Sequence, residues 1–417
     1  MAPPDHDTSR SSRVIEPAAR TRDIRYAVRD IVVLAEEAAK RGKEMLYLNI
    51  GDPNLFDFVT PPHIIEATYE AMRANRNGYA PSSGIPEAIE AVRREASRKG
   101  IQSIVHTYIT SGGSEAIELA MTALVNPGEN VLTPSPGYPL YTAILSKLEA
   151  ENRPYYLDEE NQWQPDVDDI AGKIDDKTRA IVLINPNNPT GSLCTRETLQ
   201  KLVDLAIKHN TVIFSDEIYD KLIFDGKTHV STASLSTEAK VITFNGLSKS
   251  YVVPGFRIGW GVISGPPAEL EDYCEAIRKM ERARLSANHP EQYAIKPALE
   301  GSQAHIGEMI EKLARRRDII VDRLNAIDGI SCVKPGGAFY AFPQLHIDVP
   351  DDRFVARLIR EAGVVLVHGS GFGQRPGTRH FRVVLLPPEK TLRKACDHIA
   401  DMAARPDLAL DHGVGSA

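Results

Sequence analysis

The chain has 417 residues, of which 42% are hydrophobic and 25% charged, with a formal net charge of −7. That size allows a large buried core, divided between two domains. The acidic balance excludes the basic footprint of a general nucleic-acid binder.

In chain order, residues 1–21 are polar, carry charges of both signs and read as a mobile arm. No apolar h-region stands in the first 25 residues, and no apolar run reaches the ~18 residues of a membrane span. The expectation is a cytoplasmic protein without a membrane partner. Cys194, Cys274, Cys332 and Cys396 are scattered, form no C-x-x-C pair and read as reduced thiols. Further on, the pattern predicts a helix over 115–126, with Ser114 as N-cap and Pro127-Gly128 as its stop. Strands follow at 130–133, 180–184, 212–215, 241–244 and 259–263, with a helix over 196–209. Alternation of this kind predicts an α/β fold with a mostly parallel sheet covered by helices. Asn185, Asp216 and Asn245 then lie at carboxyl ends of strands, where such sheets collect ligands. Helices are predicted over 269–286 and 290–326. Strands at 330–343, 364–368 and 379–386, with a helix over 352–361, suggest a smaller α+β domain, and the chain closes on a frayed tail, 406–417.

Several polar groups stand out against this background. Lys249 follows Asn245-Gly246-Leu247-Ser248; a lysine there is ordinarily a solvated charge. Kept neutral, however, its amine can form an imine and then move a proton. Ser248 and Arg257 suit phosphate oxygens, and Gly255 and Gly259 allow tight backbone around Arg257. Asp216 ends the run Val212-Ile213-Phe214-Ser215. It reads either as a helix cap or as the carboxylate that keeps a pyridine nitrogen protonated. Lysine, carboxylate and phosphate anchors together suit pyridoxal 5'-phosphate (PLP). Tyr219 is either core packing or a donor to the ring oxygen of that cofactor. Asn188, in Asn185-Pro186-Asn187-Asn188-Pro189-Thr190-Gly191, sits in a turn on any reading and adds an amide for the same oxygen. Gly113 and Ser114, in Ser111-Gly112-Gly113-Ser114, open a helix whose N-terminus favours a phosphate. Tyr138, in Pro136-Gly137-Tyr138-Pro139, is a loop aromatic able to stack on the pyridine. Arg382 is embedded in the strand Phe381-Arg382-Val383-Val384 and needs a carboxylate, either internal or from a substrate. His368-Gly369-Ser370-Gly371-Phe372-Gly373 lacks the spacing of a nucleotide loop and reads as a turn beside the site.

The ordered set Gly51, Tyr79, Gly113-Ser114, Tyr138, Asn188, Asp216, Tyr219, Ser248-Lys249, Arg257, Arg382 resembles the class I aminotransferases of PLP fold type I, from about Tyr26 to Ala404. The resemblance implies a large PLP-binding domain (59–295) with a mostly parallel, seven-stranded-type sheet. It also implies a small α+β domain (296–405) joined by an N-terminal segment (22–58), and a homodimer with shared active sites. In such enzymes Lys249 carries the internal aldimine and Arg382 the substrate α-carboxylate. Gly51, in Asn49-Ile50-Gly51-Asp52-Pro53, lets backbone approach the substrate, Asn188 touches both cofactor and substrate, and Tyr79 reaches the phosphate of the neighbouring subunit.

Stretches such as Tyr26-Ala27-Val28-Arg29 and Arg284-Leu285-Ser286-Ala287-Asn288 are similar to the alanine aminotransferases of bacteria and archaea. That similarity implies L-alanine + 2-oxoglutarate ⇌ pyruvate + L-glutamate by a ping-pong cycle. Arg29 is the first candidate for the second carboxylate of glutamate, ahead of Arg282 and Arg284. The alternatives are an aspartate, aromatic or broad-specificity aminotransferase, then a PLP-dependent lyase or decarboxylase. A non-enzymatic PLP-binding regulator comes last, since the ~45 residues before Gly51 are too short for a winged helix.

Overall fold

The computed structural model describes residues 15–22, 24 and 27–408, with backbone alone for 27–30 and 408. Eight strands form one sheet: β1 (Ile104–Thr110), β2 (Asn130–Ser135), β3 (Glu151–Asp158), β4 (Gln164–Pro165), β5 (Thr178–Ile184), β6 (Val212–Asp216), β7 (Val241–Gly246) and β8 (Gly259–Ser264). The five predicted runs are β2, β5, β6, β7 and β8, while β1, the polar β3 and the two-residue β4 are additional. Their spatial order is β1-β8-β7-β6-β5-β2-β3-β4. Strands β7, β6, β5, β2 and β3 run parallel. β8 is antiparallel to both of its neighbours, and the two-residue β4 adds an antiparallel edge.

Both faces of the central strands are buried, which is why they read as unbroken apolar runs rather than alternating ones. In β5, Ala180, Val182 and Ile184 face one core while Ile181 and Leu183 face the other. The Gly113–Leu124, Leu140–Lys147 and Pro267–Arg284 helices cover the first face. The Pro86–Arg98, Val167–Lys173 and Arg196–Lys208 helices cover the second.

The C-terminal strands are shorter than the sequence suggests. The predicted 330–343 strand is only Ile330–Ser331 and Tyr340–Ala341, because Pro335-Gly336-Gly337 interrupts it. Tyr340–Ala341, Phe381–Val384 and Val367–His368 form a three-stranded antiparallel sheet. Leu46–Tyr47 pairs in parallel with Val364–Val365, bringing both chain ends together. The predicted 290–326 helix is three pieces, His289–Gln292, Ile295–Glu300 and Ala304–Asn325, broken before the last by Gly301-Ser302. The Glu389–Ala403 helix, for which the sequence pattern predicts no element, packs on Ala304–Asn325.

Two local expectations are corrected. Gly112, not Ser114, precedes the first helical residue, and its φ of 86° is one that glycine adopts without strain. Asp216 caps no helix: it closes β6, and the chain then makes turns through Lys221. Among the described residues no helix is long and apolar enough to cross a membrane.

Candidate active site

The carboxyl ends of β5, β6 and β7 open into a cavity of about 360 Å³, whose wall includes Gly51, Gly113, Ser114, Tyr138, Asn188, Asp216, Tyr219, Ser248, Lys249, Arg257 and Arg382. Eleven positions predicted from sequence thus share one space. Chain direction explains the convergence: parallel strands deliver their C-terminal residues to the same edge.

Lys249 stands in the turn after β7, and its Nζ donates to the Gly51 carbonyl at 2.8 Å. Burial lowers its amine to about 8, with Arg382 and Arg257 adding to the shift and Asp52 and Asp216 opposing it. A lysine near 8 is a nucleophile and a base at neutral pH, which an ordinary one is not. Across the cavity, burial raises the Asp216 carboxyl to about 6, against the Ile218 N–H and the Tyr141 hydroxyl, which favour its charged form. The two donors lie 3.3 and 3.2 Å away. Asp216 forms no ion pair within 4 Å among the described residues, so it is a buried carboxyl suited to a cation delivered into the cavity. Glu217 points elsewhere and is spent on structure, accepting from Ser215, Ser231 and Thr232.

At the other end, the first-turn N–H groups of Gly113–Leu124 lack partners within the helix. They combine with Ser248 and Arg257 into an anion cradle. The geometry admits only glycine in two places. A Cβ on Gly112 would strike the Arg257 guanidinium, and one on Gly259 would strike the Gly112-Gly113 backbone. Arg257 itself takes a left-handed φ of 52°, and its Nη1 donates to the Pro254 carbonyl at 3.0 Å.

Arg382 is 3% exposed, and its Nη1 and Nη2 donate to Asn188 Oδ1 at 3.0 Å and to the Asn49 carbonyl at 2.6 Å. Its guanidinium lies over the ring of Tyr340 (4.7 Å) and over that of Phe372 (4.6 Å). No carboxylate among the described residues pairs with it, and its Nε is buried without a partner. The internal-carboxylate reading of Arg382 therefore finds no support. Tyr219 and Tyr340 join hydroxyls at 2.9 Å.

Tyr79 is 82% exposed and is not part of the cavity wall within one chain. The Arg29 side chain lies outside the described residues; the helix that carries it, Ala27–Lys40, contributes Val32 to the wall. Arg282 pairs with Glu275, and Arg284 donates to the Ile109 carbonyl. Sequence reasoning missed Tyr141, Tyr340, Asn49 and Phe372. Tyr141 lies one helical turn after Tyr138, but nothing local shows its hydroxyl meeting a strand end 75 residues away.

The donor set has the chemistry of a site for a phosphorylated aromatic aldehyde: an amine near neutrality, a buried acid opposite it, and an anion cradle between glycines. The model of aminotransferase class I and II matches residues 43–399. The chain belongs to the class I and II aminotransferases. It is 40% identical to the glutamate-pyruvate aminotransferase AlaA of Haemophilus influenzae over 387 residues, 91% of this chain and 94% of that protein. It is 38% identical to the alanine aminotransferase of Mycobacterium tuberculosis, over 93% of this chain and 92% of that one. A solved alanine aminotransferase from Pyrococcus furiosus superposes with a TM-score of 0.90 at 40% identity, covering 93% of this chain and 99% of that one. This aminotransferase therefore has the fold type I architecture, with β4 as an additional edge strand.

Proposed function

We propose that this aminotransferase binds PLP and interconverts L-alanine and 2-oxoglutarate with pyruvate and L-glutamate. The observation that carries the reading is Arg382, a buried guanidinium without an acidic partner among the described residues, on the wall it shares with Lys249. A bidentate carboxylate is the ligand such a group takes best. The names of the bacterial and archaeal relatives support the substrate pair.

When bound, PLP supplies an aldehyde for the amino group and a ring that accepts the electrons released at the substrate Cα. Lys249 is placed to hold that aldehyde and to take and return the proton between Cα and the cofactor. Asp216 balances the positive charge of the ring nitrogen, and a bound cation lowers its carboxyl back toward the ionised form. Ser248, Arg257 and the Gly113-Ser114 turn would hold the phosphate. Tyr138 would flank the ring, while Tyr219 and Asn188 would serve its phenolic oxygen. Arg382 and Asn188 fix the substrate carboxylate, and Gly51 leaves room beside it. A Cβ on Gly51 would strike the Tyr340 hydroxyl. Val32 and Ile50 on the wall suit a methyl side chain, and Arg29 is assigned to the second carboxylate of glutamate.

The same reading includes the cytoplasm, a large domain of 59–295, and a small one of 296–405 joined by 22–58. The Leu46–Tyr47 pairing and the Lys394–Glu44 ion pair at 2.7 Å support that division. A homodimer is supported by Ile65, Tyr69 and Met72, exposed on one face of the Pro62–Arg73 helix near Leu55 and Val59. In that dimer Tyr79 serves the partner's phosphate. The test is a panel of amino acids added to the PLP form and followed by absorbance. Alanine and glutamate should convert the cofactor to its amine form, aspartate and aromatics should react weakly, and Arg382→Leu should lose the alanine reaction. Release of CO2 or ammonia in place of amine transfer would favour the lyase reading. Arg29→Ala should impair the 2-oxoglutarate half alone.

A further inference from the structure

Tyr340, one of the two rings against the Arg382 guanidinium, is fixed by its strand, which pairs with the strand of Arg382 itself. Phe372, the other ring, belongs to a four-residue 3-10 turn, Gly369–Phe372, outside any ladder. The Gly137 N–H anchors the Phe372 carbonyl at 2.8 Å, and a ring of bonds built largely from side chains holds the rest of the turn. Asp351 accepts from the Ser370 N–H at 2.6 Å and from the Gln374 amide nitrogen at 3.1 Å. With its nitrogen committed to Asp351, the Gln374 amide turns its oxygen to His380 Nδ1, 2.9 Å away. His380 Nε2 faces Glu159 Oε2 at 3.0 Å, where β3 ends. The Gly369 N–H closes the ring on the His380 carbonyl at 2.7 Å.

Both nitrogens of His380 therefore have an oxygen of a neighbouring side chain within hydrogen-bond distance. The ring is 1% exposed. It is stacked on Phe342 at 4.8 Å, and Phe342 in turn meets Phe372 edge-on at 6.2 Å. One side chain thus joins the end of a large-sheet strand, the turn that carries Phe372, and the segment leading into Arg382. We propose that His380 is a positioning residue for the carboxylate clamp: held between Glu159 and Gln374, it fixes the turn that lays Phe372 over Arg382. The proposal rests on Arg382 being that clamp.

The test uses the PLP-loaded protein and propionate, a carboxylate the size of alanine without its amine. Variants are His380→Gln, the partly exposed Gln374→Leu, Phe372→Leu and Arg382→Leu. Misplacing the clamp should raise the calorimetric Kd for propionate and the KM for alanine roughly tenfold in His380→Gln and Gln374→Leu, with kcat within about twofold. The cofactor spectrum should stay unchanged. Because they act through one contact, His380→Gln and Phe372→Leu combined should lose little more than either alone. An unchanged Kd in folded Gln374→Leu, or losses that add in full, overturns the proposal. If Arg382→Leu also binds propionate normally, the clamp reading itself fails, a different result from failure of His380 alone.

Discussion

Replacing Asp216 with asparagine in the cofactor-free chain isolates the electrostatic cost built into the site. Burial is the main reason its carboxyl stands at about 6 rather than 3.8. Between those values the folded chain holds more protons than the unfolded chain. Stability therefore falls as pH rises through the window, and the cost is complete above pH ~6. A gap of about two units, at ~1.4 kcal/mol each, sets a ceiling of about 3 kcal/mol. Asp216→Asn keeps the shape and a hydrogen-bonding oxygen while removing the charge. Urea unfolding of both proteins without cofactor should show the variant more stable by up to ~3 kcal/mol at pH 8, the gap shrinking toward pH 4. Lys249 titrates in a separate window, between about 8 and 10.5, so it leaves the acidic range undisturbed. PLP should reverse the ranking, because only the carboxylate balances the ring cation, and the variant should lose amine transfer as well. A stability gap that stays flat from pH 4 to pH 8 would refute the argument.

Capture of PLP by the cofactor-free chain should quicken with pH, half-maximal near the Lys249 value of about 8, since only the neutral amine attacks. Lys249→Ala should remove that dependence in stopped-flow absorbance. Tyr141→Phe deletes a donor to Asp216. At ~1 kcal/mol for the bond, it should weaken PLP binding about fivefold by equilibrium dialysis and push the Asp216 carboxyl higher still. Gly112→Ala meets both a φ of 86° and the Arg257 guanidinium. Titration with inorganic phosphate should show roughly tenfold weaker binding to the cofactor-free variant.

Much of this site was readable along the chain because its groups sit in local contexts with their own logic. Asp216 ends an apolar strand, Gly112-Gly113 opens a helix, and Arg382 is a charge within a strand. Each anomaly is visible within a few residues, and parallel β-α alternation states that strand ends meet at one edge. Boundaries in the C-terminal part were poorly legible, since two-residue strands such as Tyr340–Ala341 carry no periodicity to detect.

The sequence by itself determined the reactive residue types, their order and the α/β alternation that gathers them. Only the tertiary structure decided their states. The depressed amine of Lys249, the raised carboxyl of Asp216, and the lack of an acidic partner for Arg382 among the described residues depend on what surrounds each group. Tyr141, Tyr340, Phe372 and His380 matter through contacts with residues from 10 to 221 positions away. Desolvation and long-range pairing are properties of the packed chain, and no local pattern encodes them.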